Sequence, residues 1–301
     1  MESRVGFLED VKKMLQTAKD TSQDKLLFNY KGILFPTSLC SNETFKAMET
    51  FEAREDDVFL VAYPKCGSNW SLQLLHDMVL ASYNKHPSSN IPLIEFGAPT
   101  KYEKLKEESS PRVLATHLYY DNIPQTFLDK KTKMLVMFRN PKDTAVSLYH
   151  FYNNNPMLPS YSSWDAFFPD FINGNVCFGS YFDQAVTWNK HIDDSGVLLM
   201  TFEEMKQDLE SSVKKIAEFF GFTLTEEQVK SIANKGTFKN MKEKSKETHG
   251  DFGQVVFRKG DVGDWKNYFT EDQNQEMDAK FEACLAGTKL GELLKYNVYC
   301  K

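Results

Sequence analysis

The stretch VFLVAYPKCGSNW, residues 58–70, decides the fold of this 301-residue chain. Its first five residues are all apolar, which is the pattern of a strand buried on both faces of a parallel sheet. A short loop around Gly67 follows, and from Trp70 to Val79 the apolar residues recur at helical spacing. We therefore predict a strand, a tight loop and a helix, in that order.

Three further apolar runs have the length of strands: RVLAT at 112–116, KMLVMF at 133–138 and GVLLMT at 196–201. Helical patterns follow the last two runs, from Pro141 to Tyr152 and from Phe202 to Phe220, with Gly221 as a stop signal. This alternation predicts an α/β fold with a central parallel sheet flanked by helices. No repeat or linker divides the chain, so we predict a single domain over residues 1–301. Ligands of such sheets bind beyond the carboxyl ends of the strands.

The composition limits the classes of function. The net charge of −6 argues against general nucleic-acid binding but leaves room for one anionic ligand. The five cysteines are scattered without metal-ligand spacing, which indicates free thiols in a reducing compartment. No apolar run approaches the roughly 18 residues of a membrane span, and the first residues lack a signal-peptide core. We therefore expect a cytoplasmic protein with no membrane partner and no bound metal.

The loop after the first predicted strand has the chemistry of an anion cradle. Gly67 permits close approach of the backbone, amides at the helix start face outward, and Lys65 adds a positive charge. The loop differs from the nucleotide-kinase pattern G-x-x-x-x-G-K-[ST], because its lysine precedes its glycine and no Ser or Thr follows that lysine to bind magnesium. Taken alone, the spacing fits an anion site and an ordinary turn with a surface lysine equally well.

The segment YPKCGSNW resembles the Y-P-K-[SA]-G-T-T-W donor loop of the cytosolic sulfotransferases. Further blocks of the same family follow in family order: THL at 116–118, FRNPKDTAVSLYHFY at 138–152, TFEEMKQD at 201–208, TFKNMK at 237–242 and FRKGDVGDWKNYF at 257–269. The Cys-Gly-Ser-Asn variant of the loop and the ending KYNVYC are most similar to the 6B branch. The resemblance implies a P-loop-like sulfotransferase fold, PAPS (3′-phosphoadenylyl sulfate) as sulfuryl donor, PAP as product and no metal.

The resemblance also implies a set of donor-binding residues. They are Lys65, Cys66, Gly67, Ser68, Asn69, Trp70, Arg139, Ser147, Phe202, Gly236, Thr237, Phe238, Met241, Arg258, Lys259 and Gly260. Within this set, Arg139, Ser147 and the stretch 258–260 match the residues that hold the 3′-phosphate, while Trp70 and Phe238 match the pair that stacks on adenine.

Several of these residues have an ordinary structural interpretation when each is considered alone. Arg139 fits a strand-end salt bridge with Asp143 equally well, and the stretch 258–260 fits an exposed basic turn better. Isolated aromatic residues such as Trp70 and Phe238 are more often core.

Three positions depart from the family pattern. Phe202 stands where most relatives carry Tyr, and Gly236 replaces a more usual Thr or Ser. Both changes are expected to weaken donor affinity somewhat, while stacking and phosphate contacts remain. Ala115 replaces a Lys that relatives often carry two residues before the histidine of the THL block.

Catalysis is predicted to involve His117 and Lys65. A neutral imidazole suits general-base work near pH 7, and His117 in the THL block matches the catalytic histidine of the family, although a lone histidine is usually structural. We expect direct in-line transfer, with Lys65 and the loop amides stabilising charge on the oxygen that bridges to the 5′-phosphate.

Two other classes of function fit the sequence less well than the sulfotransferase. A phosphotransferase is disfavoured by the missing Ser or Thr after Lys65. A non-catalytic nucleotide-binding protein is disfavoured because both Lys65 and His117 are retained.

The acceptor is predicted to be a small lipophilic phenol or alcohol, with an iodothyronine-like phenol such as thyroxine suggested by the 6B resemblance. Phe151 is a candidate wall residue by the same resemblance. The segments from Tyr83 to Arg112 and from Lys239 to Asp251 are predicted to be loops that cover the site, although the second also fits a solvated surface.

Relatives often dimerise through a K-x-x-x-T-V-x-x-x-E segment. The matching stretch here, KNYFTEDQNQ from Lys266 to Gln275, places Glu271 at the apolar Val position and Gln275 at the Glu position. A charge in a small interface core is costly unless it is paired. We therefore expect a monomer or a weak homodimer.

Overall fold

A four-stranded parallel sheet with the order β4-β3-β5-β6 organises the computed structural model, which describes residues 5–88 and 90–301. The strands are β1 Leu27–Tyr30, β2 Ile33–Pro36, β3 Val58–Ala62, β4 Val113–Thr116, β5 Met134–Phe138 and β6 Val197–Thr201. The four predicted strands and their parallel arrangement are therefore confirmed.

Helices cover both faces of the sheet. In chain order they are α1 Val5–Lys19, α2 Asn42–Met48, α3 Ser68–Tyr83, α4 Lys101–Glu107, α5 Gln125–Asp129, α6 Pro141–Asn154, α7 Trp164–Asn173, α8 Tyr181–Asn189, α9 Phe202–Gln207, α10 Leu209–Phe220, α11 Glu226–Lys235, α12 Phe238–Glu243, α13 Ser245–His249, α14 Gly253–Val256, α15 Glu271–Leu285, α16 Lys289–Leu293 and α17 Tyr296–Tyr299. Among the described helices, none combines the length and the apolar character needed to cross a membrane.

The core consists of two layers separated by the sheet. Because side chains alternate along a strand, Phe59 of β3 belongs to an aromatic-rich layer with α6, α7 and α8, while Leu60 belongs to the opposite layer. That second layer is formed with α3, α10 and α11. Burial on both faces explains why each strand reads as a continuous apolar run.

The hairpin of β1 and β2 was not predicted from the sequence. The two strands pair in antiparallel register, from Leu27 opposite Pro36 to Tyr30 opposite Ile33. Lys31 and Gly32 connect them with φ values of 52° and 87°, the left-handed conformation that a tight two-residue hairpin turn needs at both positions. The lysine at the first turn position hides the usual Asn-Gly or Asp-Gly signal.

The apolar stripe from Phe202 to Phe220 is divided between two helices. Asp208 separates α9 from α10, and its Oδ1 accepts a hydrogen bond of 3.0 Å from the Ser211 amide at the start of α10. The stop predicted at Gly221 is confirmed, because this residue caps α10 with a φ of 81°.

The prediction of a loop over Lys239–Asp251 is wrong. Residues 238–243 and 245–249 form α12 and α13, because the lysines, glutamates and Met241 in this charged stretch favour helix. The segment from Tyr83 to Arg112 is mostly irregular, as predicted, but it contains the two-turn helix α4.

Candidate active site

One cavity of about 440 Å³ lies at the carboxyl ends of the parallel strands. A residue that follows each of the four strands lines it: Lys65 after β3, His117 after β4, Arg139 after β5 and Phe202 after β6. Every predicted site residue lines this cavity except Cys66. We call the part lined by the predicted donor-binding residues the donor half and the remaining part, beyond Lys65 and His117, the acceptor half.

Cys66 supports the donor loop from beneath. Its side chain is fully buried, and its Sγ lies 3.7 Å from Thr144 Oγ1 of α6. Burial raises the pKa of the Cys66 thiol to about 12, so the thiol stays protonated at neutral pH. The Cys66 side chain therefore does not reach the cavity, in contrast to its neighbours Lys65 and Gly67.

The donor loop takes the shape of an anion cradle. Lys65 and Gly67 both have left-handed backbones, with φ values of 69° and 101°. The φ of Gly67 favours glycine, and a Cβ there would also make a tight contact of 3.3 Å with Phe202 Cδ2. Helix α3 begins at Ser68, and the amides of its first turn lack partners within the helix. These amides and the helix dipole favour an anion at this point.

Lys65 lies between the two halves of the cavity. Its Nζ lies 4.2 Å from the centroid of the Phe151 ring, the predicted acceptor-side wall residue. Burial, together with the positive charges of Arg139 and Arg258, lowers the pKa of Lys65 from 10.5 to about 7. An anion at the donor loop would reverse this shift, because it would favour the charged form of Lys65.

His117 is fixed in one tautomer. Its Nδ1 lies 2.6 Å from the carbonyl oxygen of Ala62. Because a carbonyl oxygen only accepts hydrogen bonds, Nδ1 carries the proton and Nε2 of the neutral ring is left with a free lone pair. Burial lowers the pKa of His117 below 6.5, although the Glu95 carboxylate opposes this shift. The imidazole is thus neutral at pH 7 and able to accept a proton on Nε2.

Arg139 does not form the salt bridge with Asp143 that the sequence also allowed. Its Nη2 donates to the Asp261 carbonyl oxygen over 2.7 Å, and its guanidinium carbon lies 4.4 Å from the Phe202 ring centroid. Asp143 instead accepts hydrogen bonds from the amides of Gly263, over 2.7 Å, and Trp265, over 3.0 Å. The 138–152 block therefore anchors the 257–269 block through Asp143.

Arg258 and Lys259 both bind Asp264 rather than forming a free basic turn. Arg258 Nη2 lies 2.5 Å from Asp264 Oδ2, and Lys259 Nζ pairs with Oδ1 of the same carboxylate. Burial acts to raise the pKa of Asp264, but the hydrogen bonds from Lys259, Arg258 and Asn267 outweigh it and lower this pKa to about 2. Asp264 is therefore ionised at any ordinary pH.

The aromatic side chains of the donor half pack closely around glycines. A Cβ on Gly260, whose φ is 67°, would lie 2.2 Å from Phe238 Cδ2, so the Phe238 ring lies directly against the Gly260 backbone. The Trp70 and Phe202 rings meet edge to face with centroids 5.2 Å apart. At Gly236, Leu74 occupies the space that a larger residue would need, with its Cδ2 2.6 Å from a notional Cβ. The departure at Gly236 is thus matched by local packing.

The cavity lining outside the predicted set is mostly apolar, with Asn155, Lys206, His249 and Asp261 as polar exceptions, and it was largely missed by sequence reasoning. Beside the predicted Phe151, the acceptor half is lined by Val11, Met14, Pro36, Leu39, Ile91, Leu93, Phe96, Met157, Leu158, Cys177, Phe178, Phe252 and Val256. Only α1 carried a usable signal, because Val11, Met14 and the buried Ala18 share one helical face. Ala115 is buried in the core layer beneath α3 and does not line the cavity, so no charged side chain reaches the cavity from this position.

Comparison with known proteins identifies the family. The sulfotransferase domain model matches residues 55–290. The chain belongs to the sulfotransferase family. This sulfotransferase is 50% identical to mouse Sulfotransferase 6B1 over 301 residues, which cover 100% of this chain and 99% of the relative. It is 49% identical to zebrafish (Danio rerio) Sulfotransferase 6B1 over 98% of this chain and 100% of that protein. The predicted resemblance to the 6B branch is therefore confirmed.

Solved structures give the same result. Mouse sulfotransferase SULT7A1 complexed with PAP is 39% identical, with a TM-score of 0.81 over 92% of this chain and 99% of that one. A second match is retinol dehydratase in complex with androsterone and inactive cofactor PAP, which is 19% identical to this sulfotransferase. Its TM-score of 0.72, over 93% of this chain and 95% of that one, shows a shared fold.

Proposed function

We propose that this sulfotransferase transfers the sulfuryl group of PAPS to the hydroxyl group of a small lipophilic acceptor and releases PAP. One observation carries the proposal: Lys65 and His117 face a single cavity whose two halves differ in chemistry. The donor half combines basic side chains with aromatic rings, and the acceptor half is mostly apolar. The PAP bound to mouse SULT7A1, a relative with 39% identity, supports PAPS as the donor.

The donor half fits a nucleotide that carries two anionic groups. Two buried donor atoms on its lining side chains, Arg139 Nε and Trp70 Nε1, lack hydrogen-bond partners among the described residues. Arg139, Ser147 and the 258–260 stretch would hold the 3′-phosphate, and the loop from Lys65 to Trp70 would hold the 5′ side. Trp70 and Phe238 would stack on adenine, with Phe202, Gly236, Thr237 and Met241 beside them.

His117 is proposed as the general base. PAPS supplies a sulfuryl group activated by its anhydride bond to phosphate. Nε2 of His117 accepts the proton of the acceptor hydroxyl, since Nδ1 is held by the Ala62 carbonyl oxygen. Lys65 stabilises the negative charge that develops on the departing phosphate side. The two residues thus act on opposite sides of the transferred group, which fits in-line transfer.

The acceptor is proposed to be a phenol or a similar lipophilic alcohol. Apolar walls bind flat, weakly polar molecules by removing their surface from water. The similarity to the proteins named Sulfotransferase 6B1 extends the proposal to iodothyronine-like phenols such as thyroxine.

Mass spectrometry of reaction mixtures tests this function directly. The protein is incubated with PAPS, or separately with ATP and magnesium, and a mixed panel of phenols and aliphatic alcohols. We expect phenols to gain the mass of one SO₃ unit with PAPS alone. Phosphorylated products with ATP would instead support a kinase, and binding of PAP without any product would support a non-catalytic nucleotide-binding protein.

The assembly and location are also proposals. We propose a monomer or weak homodimer in the cytoplasm, with no nucleic-acid or membrane partner. Thr270 caps α15 through Gln273, and the exposed Glu271 lies in the first turn of that helix, where its charge is favourable without a partner chain. All five cysteines are free, as in a reducing compartment. Sedimentation that showed a tight dimer at nanomolar concentration would contradict the assembly proposal.

A further inference from the structure

A short irregular segment, residues 91–97, forms one wall of the acceptor half, and we call it the acceptor strap. It runs beside β4. The Ala115 amide donates to the Pro92 carbonyl oxygen over 2.8 Å, and the Ile94 amide donates to the Ala115 carbonyl oxygen over 2.9 Å. Leu93 and Phe96 of the strap line the cavity. The position of this wall therefore depends on what holds the strap in place.

The strap is also joined to the backbone of the proposed base. Glu95 is fully buried, and its Oε1 accepts a hydrogen bond of 2.8 Å from the His117 amide. Its Oε2 accepts a hydrogen bond of 2.9 Å from Thr116 Oγ1. The Phe96 ring lies 6.1 Å from the His117 ring. A shift of the strap would therefore move both the acceptor wall and the imidazole.

Two consecutive residues of α4 donate hydrogen bonds to the backbone of the strap. Lys101 Nζ donates to the Leu93 carbonyl oxygen over 2.7 Å and also donates to the Phe96 carbonyl oxygen. Tyr102 donates its hydroxyl to the Ile94 carbonyl oxygen over 2.8 Å. Three strap carbonyls thus receive side-chain donors from one end of α4. Lys101 itself does not line the cavity, so its effect on an acceptor must pass through the strap.

We propose that Lys101 is a positioning residue that fixes the acceptor strap, and through it the acceptor wall and His117. The proposal rests on the proposed sulfotransferase function of the cavity. The strap is an irregular segment that lacks the full set of backbone hydrogen bonds of a strand, so its carbonyl oxygens need other donors. Lys101 donates to two of these oxygens. Burial lowers the pKa of Lys101 to about 7, although the nearby Glu95 carboxylate acts to raise it. Even the neutral amine retains donors for both carbonyls.

Steady-state kinetics of Lys101→Met tests the proposal in the full chain with PAPS and a phenol. Loss of two hydrogen bonds to buried carbonyls is expected to raise the KM for the phenol about tenfold and to lower kcat several-fold. The KM for PAPS should stay within about twofold, because the donor loop does not contact Lys101. Lys101→Arg should recover much of the loss, since a guanidinium can donate to both carbonyls. Lys104→Met, on the exposed side of α4, is the matched control and should leave all constants unchanged.

Tyr102→Phe provides a second, milder variant if Lys101→Met proves too unstable to assay. It removes one hydroxyl and should give the same acceptor-selective pattern at a smaller amplitude, roughly threefold. Equal changes in the donor and acceptor KM, or no change in the acceptor KM in either variant, would overturn the positioning role. These results are distinct from failure of the proposed function, in which the unmodified protein itself would form no sulfated product.

Discussion

The two halves of the cavity are built in different ways. In the donor half, Lys65 and Arg139 directly follow strands of one parallel sheet, so the sheet itself sets their separation. In the acceptor half, the walls come from α1, the acceptor strap and the residues around Phe252, which meet only through tertiary packing. The contrast indicates that the positions of Lys65 and Arg139 are set by the sheet, so we expect changes in the acceptor half to leave them undisturbed.

The largest effect is expected at the junction of the halves. His117→Ala should reduce kcat/KM for an aliphatic alcohol on the order of a thousandfold, as is usual for loss of a general base. Because burial lowers the pKa of His117 from 6.5, the rate at saturating PAPS, where the bound anion keeps Lys65 charged, should rise with pH below about 6.5 and then level off. The variant should lose this rise, and PAP binding measured by calorimetry should remain.

Two acceptors separate a base from a structural histidine. An acidic phenol ionises unaided, so it should lose a smaller factor in His117→Ala than an aliphatic alcohol does. Equal losses for the two acceptors would assign His117 to structure. His191→Ala, which removes a ring that stacks on Tyr120 outside the cavity, should leave both rates unchanged.

Lys65→Ala should lower turnover about a hundredfold, with a smaller loss of donor binding. The pKa of about 7 for Lys65 adds a direct test, because the side chain is mostly neutral at pH 8 and becomes charged when an anion binds. PAP binding should therefore take up protons at pH 8, measured by calorimetry in buffers of different ionisation enthalpy. Lys65→Arg should bind PAP without that uptake, since a guanidinium is always charged. Unchanged uptake in Lys65→Arg would count against the proposed titration.

Arg139→Ala should reduce the preference for PAPS over a donor without the 3′-phosphate by about 30-fold, the equivalent of one or two charged hydrogen bonds. Competition assays with the two donors measure this preference. Arg54→Ala is a matched control, because that guanidinium binds the Lys106 and Glu108 carbonyl oxygens away from the cavity. Equal weakening toward both donors would indicate that Arg139 only supports the fold.

The smallest effect is expected from α1, and it should be confined to the acceptor. Met14→Ala should raise the KM of a long phenol about threefold to tenfold through lost apolar contact, while a single-ring phenol and PAPS should be unaffected. Lys13→Ala, on the exposed face of the same helix, serves as the control. A change in the KM for PAPS would show that the two halves are not independent.

The donor half could be predicted from the sequence because its residues lie in short contiguous blocks, three of which follow buried strands. The VFLVA run fixed the strand, and Gly67, with its left-handed φ of 101°, then allowed only a tight turn into α3. The acceptor half could not be predicted in the same way. Pro36, Leu93 and Phe252 are ordinary apolar residues locally, and only the folded chain brings them together.

The hydrogen-bond partners of some charged groups could not be predicted from the sequence either. Arg139 and Asp143 are only four residues apart, so the sequence allowed a salt bridge between them. Asp143 instead accepts hydrogen bonds from the amides of Gly263 and Trp265, more than a hundred residues further along the chain. The loop predicted for 239–251 failed for a different reason, because charge alone does not distinguish a solvated loop from a helix made of strong helix formers.

Asp264 has a consequence for the end of the catalytic cycle. Its carboxylate pairs with both Arg258 and Lys259, and its pKa of about 2 keeps it ionised. In the proposed reaction, the arriving 3′-phosphate must compete with this carboxylate for the two cations. The same carboxylate would pair with them again when PAP departs, so the two cations would not be left without an anionic partner. We therefore expect the Asp264 carboxylate to lower the affinity for PAP and to shorten the time that PAP remains bound.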